Sequence, residues 1–316
     1  MGKNSPASGK DTAWAIYNGA MKANLYALAA IGLWASLATL GVALKHVPPF
    51  LLTGIALCGG SVLAWPYALK KPQLWSVRPS TLALGDFTLF GYHFFLLMGL
   101  RLASAVEVNL VNYLWPLLIV VLSPLYLTGV KLRGVHLVAA MLGFSGAALA
   151  ILGSDDLNVA RASKATWEPA AGYLLALASA FIWANYSLQT KRGELNNRGF
   201  PSAAIGLFGL VSGLLSLLCH AALEPSVNLT SHDWLLLSLL GLGPLGAAFF
   251  LWDKAMKLGD VRHIGILSYL TPLTSTVLLM LVTQRALNWN IALAAALIIG
   301  AALLGTRKKR GQFRHD

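Results

Sequence analysis

The sequence predicts an all-α integral membrane protein, with ten transmembrane helices in two inverted five-helix repeats. Three observations predict it. Hydrophobic residues make up 57% of the 316-residue chain and charged residues only 11%, which is about half the charged share of a soluble domain. Apolar runs near the ~20 residues needed to cross a bilayer follow one another along the chain. A segment of the first half also recurs without gaps 156 positions later.

Taken in order, residues 1–23 are polar, carry Lys3, Lys10 and Lys22, and lack the apolar core of a cleavable signal. They are read as a cytoplasmic N-terminal tail. The spans follow at 24–44, 49–69, 80–100, 104–127, 132–152, 170–190, 200–222, 233–253, 261–283 and 288–306. Proline marks their ends: Pro48–Pro49, Pro72, Pro79, Pro169, Pro201 and Pro225 fall where a helix starts or stops cheaply. Residues 153–169 form a periplasmic linker between the repeats 24–152 and 170–306. Residues 307–316, RKKRGQFRHD, form a basic cytoplasmic tail.

Orientation follows from lysine and arginine. With the N-terminus inside, 19 of the 24 fall in inner segments and only Lys45, Arg101, Arg161, Lys164 and Arg285 in outer ones. That bias places both termini in the cytoplasm. It also accounts for the net charge of +12 without a nucleic-acid partner. Cys58 and Cys219 lie inside apolar spans and read as small core residues, not a disulfide or metal site. Asn228-Leu-Thr230 is a glycosylation sequon on the outer side, a three-residue pattern with little weight. Gly209-x-x-x-Gly213 lets helices approach closely and does not point to dimerisation, so a monomer is expected.

The recurring segment is MGLRLASAVEVNLVNYLWPLL (98–118) over KAMKLGDVRHIGILSYLTPLT (254–274), and GLWAS (32–36) lies over FIWAN (181–185). Each repeat holds five spans. Five is odd, so the second repeat enters the membrane from the opposite side, an inverted-topology design that recurs in secondary transporters around a midplane site.

The hairpin from Tyr92 to Pro116, with its turn at 101–104, carries the polar outliers. Polar groups at membrane depth are costly and normally face a bundle interior or a water-filled path. Asn109, Asn112, Tyr113 and Pro116 follow the i, i+3, i+4, i+7 rule and share one helix face, with Trp115 flanking it. Asparagine amides offer donors and acceptors to a zwitterion, while Tyr113 and Trp115 can stack on a flat ring or hold an ammonium. Trp34, Trp115 and Trp183 sit near mid-span, where an interface anchor does not explain them; helix packing is the competing explanation. Tyr92 and His93 complete the hairpin, and Tyr269 is the counterpart of Tyr113. His93 can contact substrate, titrate as a proton-linked switch, or be satisfied by a neighbouring helix. Pro116 and Pro272 each free a carbonyl one turn back and mark two hinges. Glu107 forms an outer gate with Arg101, lines a vestibule, or is simply solvated. Asp253, Lys254, Lys257 and Asp260 read as a solvated face at an inner helix end.

GLWAS, FIWAN, NYLWPLL and SYLTPLT together resemble the drug/metabolite transporter superfamily, EamA type, over about residues 24–306. Tyr92-His93 with Glu107, Asn109, Asn112-Tyr113 and Trp115-Pro116 is similar to the YddG-like group of aromatic amino acid exporters. The resemblance implies a basket-like bundle with an inner cavity built from helices 1, 3, 4, 6, 8 and 9, with helices 5 and 10 peripheral. One departure stands out. The glutamate that many such repeats place after the helix following the proline is absent at Thr128–Lys131 and Thr283–Arg285, so no role for that acid carries over.

No metal spacing, phosphate-cradling loop or nucleophile–base pair is visible, so neither an enzyme nor an ATP-driven pump is expected, and no cofactor. The expectation is a carrier of small molecules in the bacterial inner membrane, exporting aromatic and other bulky neutral amino acids by alternating access. Ring recognition falls to Tyr92, Tyr113, Trp115 and Trp183, and polar recognition to His93, Asn109 and Asn112. Export of other metabolites or lipophilic cations is the alternative, and a membrane enzyme or assembly factor a further one.

Overall fold

The computed structural model describes residues 9–152, 167–283 and 289–305. Most of the linker between the repeats and the basic C-terminal segment lie outside the described residues. "Inner" and "outer" below follow the orientation that the lysine and arginine bias assigns.

Every regular element among the described residues is helical. α1 runs Gly9–Ala43, and α2 starts at Pro49–Ser61 and continues through a tight turn to Lys70. α3 is Pro79–Leu102, and α4 comprises Ala105–Asn112 and Trp115–Tyr126. α5 is Gly134–Leu152, α6 Glu168–Leu195 and α7 Ala204–Leu223. α8 comprises Ser231–Leu242, a π-helical turn Gly243–Ala247, and Ala248–Leu258. α9 comprises Val261–Leu267 and Leu270–Thr283, and α10 is Trp289–Gly305. Nine of these spans are long and apolar enough to cross a membrane, and α10, at 17 residues, is the short tenth. This is a multi-pass membrane protein.

One element departs from expectation. α1 begins at Gly9, inside the segment expected to be a tail. A helix already anchored in the bilayer extends into water cheaply, because each added residue completes one more backbone bond without a new nucleation cost.

The packing is paired across the repeats. α2 lies against α7, and α5 against α10 at the periphery. α3 and α4 pack on α6, while α8 and α9 pack on α1, the same arrangement with the repeats exchanged. Small residues permit the closest of these contacts. A Cβ on Gly213 of α7 would sit 2.6 Å from Cys58 Sγ and 2.9 Å from the Gly54 carbonyl of α2. The Gly209/Gly213 pattern therefore serves packing within the chain.

Burial is uneven along the bundle axis. α1 is buried at Ala23, Ala27, Ala30, Ile31, Trp34 and Ala35, then half-buried or exposed from Ser36 to Leu40. The inner half of α6 buries Ile182, Trp183, Tyr186, Leu188 and Thr190, whereas its outer half buries only Gly172, Ala176, Ser179 and Ala180. Val261 to Tyr269 of α9 is mostly buried, and beyond Leu273 the helix opens out. The inner halves are close-packed around one core, and the outer halves are spread apart.

Candidate functional site

At mid-depth, where the tight half meets the open half, the helices enclose a cavity of about 500 Å³ of atom-free space, its open mouth included. α1 supplies Trp34 and Leu37, α3 Tyr92 and His93, and α4 Asn112, Tyr113 and Trp115. α6 supplies Trp183, α8 Leu245 and Phe249, and α9 Thr271.

The walls are aromatic. Trp183 stands at the centre, its ring centroid 5.9 Å from Trp34, 5.5 Å from Tyr92 and 5.5 Å from Phe249. Trp34 donates its indole N–H to the Pro244 carbonyl at 3.1 Å, so its polar atom is satisfied while its ring faces the cavity. That carbonyl lies in the π-helical turn of α8, a type of irregularity that often marks functional sites. Below the cavity, Trp252 is 1% exposed, packs edge-on to Trp115 and donates its N–H to Ser187 Oγ at 3.1 Å. It forms the floor.

The polar groups are neutral, and Tyr92, His93 and Asn112 are held in place by hydrogen bonds. Asn112 Nδ2 donates to Tyr92 Oη at 3.1 Å, and Ser179 Oγ donates to Asn112 Oδ1 at 2.9 Å. His93 Nδ1 lies 2.6 Å from the Leu89 carbonyl. A carbonyl can only accept, so Nδ1 carries the proton, and in the neutral ring Nε2 is an acceptor. Among the described residues, no lysine, arginine, aspartate or glutamate lines the cavity.

The helix breaks lie where the prolines predict. α4 is interrupted at Tyr113–Leu114 and α9 at Ser268–Tyr269, each just before Pro116 or Pro272. Of the residues singled out in the sequence, Trp34, Tyr92, His93, Asn112, Tyr113, Trp115 and Trp183 come together on the lining. Two do not. Asn109 is exposed and stands apart from the lining. It lies one turn above Asn112 on the same helical segment Ala105–Asn112, toward the open outer half. Tyr269 is fully buried in a separate cluster with Leu273 and Ile298. A Cβ on Gly143 of α5 would sit 2.4 Å from its ring.

The acidic residues also differ from expectation. Arg101 pairs with Glu224 at 3.0 Å, while Glu107 accepts from the hydroxyl of Tyr173. Asp253 is not solvated: it is 0% exposed and pairs with Lys257 at 2.8 Å. The sequence reading overlooked Leu37, Ser179, Leu245, Phe249, Trp252 and Thr271. The repeat held a signal for two of them, since Phe249 and Thr271 lie 156 positions after His93 and Trp115.

Comparison with known proteins adds the following. The EamA-like transporter family matches residues 21–152 and again 170–307. The chain is 39% identical over 289 residues to a protein of Ancylobacter novellus named aromatic amino acid exporter YddG, covering 90% of this chain and 96% of the relative. It is 27% identical over 290 residues to the Escherichia coli protein of the same name, covering 90% and 96%. A crystal structure at 38% identity matches with a TM-score of 0.80, covering 90% of this chain and 97% of the other.

Proposed function

We propose, from the premise that this chain belongs to the EamA-like transporter family, that it exports aromatic and other bulky neutral amino acids across a bacterial inner membrane by alternating access. The observation that carries the reading is the cavity itself: aromatic walls and neutral polar groups at mid-depth, without a fixed charge. In a medium of low dielectric an unmatched charge is expensive. Such a cavity favours a solute whose own charges cancel, as those of a zwitterion do. The side chain of an aromatic amino acid has Trp34, Tyr92, Trp115, Trp183 and Phe249 to pack against. Its ammonium has His93 Nε2 as an acceptor and the ring faces as a cation–π surface. The two relatives named as aromatic amino acid exporters support the substrate class.

The tight inner half and spread outer half support an outward-facing conformation, with Trp252 as the floor. The broken helices α4 and α9 are the hinges we assign, and we take the carrier to act as a monomer with both termini in the cytoplasm. Flux of radiolabelled tryptophan, phenylalanine and threonine into liposomes holding the purified protein tests the reading. Saturable flux of the aromatic amino acids is expected, and its response to an imposed pH gradient separates uniport from proton antiport. No saturable flux from folded protein would overturn the substrate assignment. His93→Ala is expected to lower tryptophan flux about tenfold, the scale of one hydrogen bond to a charged group, with an unchanged unfolding temperature.

A further inference from the structure

Away from the cavity, each repeat carries a similar device at opposite ends of the molecule. In the register that superimposes the repeats, Arg101 at the end of α3 corresponds to Lys257 at the end of α8. Each cation lies over a phenylalanine beside the second helix of its own repeat, Phe50 in its first turn and Phe200 just before its start. Arg101 Cζ is 5.4 Å from the ring centre of Phe50, and Lys257 Nζ is 4.4 Å from that of Phe200. Both phenylalanines adjoin a proline, Pro49-Phe50 and Phe200-Pro201. Because the repeats are inverted, one device sits at the outer end and the other at the inner end.

The two are not equally tight. Lys257 Nζ also donates to Asp253 Oδ2 at 2.8 Å and to the Phe200 carbonyl at 2.7 Å, and Ser202 donates to the same Asp253 oxygen. Lys191 of α6 reaches the Lys257 carbonyl at 2.7 Å. At the outer end, Arg101 pairs with Glu224 of α7, which also accepts from the backbone N–H of Phe50 and Leu51. The Lys257 side chain is 11% exposed and that of Arg101 37%. Cation–π contacts and charge-assisted hydrogen bonds strengthen as water is excluded, so the contacts of the better-shielded Lys257 gain the more.

We propose that Lys257 is the latch of the inner gate and holds that gate shut in this conformation. The proposal rests on the carrier reading. Lys257 lies little more than one turn beyond Trp252, the cavity floor. For the cavity to open inward, the inner half of α8 must leave α6 and the segment 200–202. It then gives up the Phe200 ring and carbonyl, the Lys191 bond and the Trp252–Ser187 bond. Asp253 travels on the same helix as Lys257, so the charge pair stays together. The latch exchanges neutral partners and never strands a lone charge at low dielectric.

The test uses a full-length chain with Cys58 and Cys219 replaced by alanine and a reporter thiol at Leu37→Cys on the cavity wall. A membrane-impermeant maleimide is applied from either face, in right-side-out and inside-out vesicles. Lys257→Met is expected to raise the inner-to-outer labelling ratio by about threefold or more, as a shifted two-state equilibrium requires. Lys257→Arg is expected to restore the parent ratio, and Arg101→Met not to raise it. A parent ratio in folded Lys257→Met overturns the proposal. Should that variant not fold, Phe200→Leu removes the ring and leaves the charge pair, and the same rise is expected; an unchanged ratio there overturns the proposal equally. Tryptophan flux by the unsubstituted protein separates the two levels. If flux is present and the ratios are unchanged, the latch alone fails. If flux is absent, the carrier reading fails.

Discussion

The fourth helix of each repeat breaks at the same place, yet the two breaks serve different ends. In α4, Asn112-Tyr113-Leu114-Trp115-Pro116 turns three side chains, Asn112, Tyr113 and Trp115, into the cavity. In α9, Ser268-Tyr269-Leu270-Thr271-Pro272 turns only Thr271 there, and Tyr269 is pressed against Gly143 of α5. Duplication supplied two equivalent breaks. Divergence then turned one toward the cavity and the other toward the packing of the scaffold.

This division can be broken by experiment. The largest effect is expected on the scaffold side. Tyr269→Ala should cost about 3–5 kcal/mol of stability, the scale for truncating a large buried aromatic, read as a lowered unfolding temperature in detergent. The KM of the surviving carrier should stay unchanged. Next comes the ligand side. Asn112→Ala removes the bonds to Tyr92 and Ser179, and a tenfold or larger fall in tryptophan flux is expected, matching about 1–3 kcal/mol for a disrupted buried hydrogen bond. Ser268→Ala, its counterpart, loses only a bond within its own helix to the Gly265 carbonyl, and flux should change by less than about twofold. If the asparagine and serine variants behave alike, the division is wrong. The smallest effect is expected at Asn109, which is exposed; Asn109→Ala should alter flux and stability only within about 0.5 kcal/mol.

Much of this was legible in the sequence because bilayer physics is strict. Spans of about twenty apolar residues and the gapless repeat set the number of helices and their division into two sets of five. The breaks at Tyr113 and Ser268 were legible because proline removes a donor one turn ahead of them. Three things were hidden, each for a physical reason. The Asp253–Lys257 spacing of four is also the spacing of solvated helix pairs, and only the fold brings Phe200 and Ser202 over it. Tyr269 repeats the motif of Tyr113, and the motif does not say which way the ring turns at a broken helix. Phe249 and Leu245 look like lipid-facing residues, because an apolar cavity wall and an apolar membrane face use the same alphabet.

The bond from Trp34 to the Pro244 carbonyl bears on engineering this protein for fermentation. A strain builder wanting a roomier carrier for a larger product would first think of trimming the most prominent ring, Trp34. That change would also leave the carbonyl of the irregular turn in α8 without its side-chain donor at membrane depth, where an unsatisfied polar group is costly. Volume gained there would come with a weakened α1–α8 seam. Leu37 and Phe249 line the same cavity with side chains that carry no polar atom, so carving space from them leaves that bond intact.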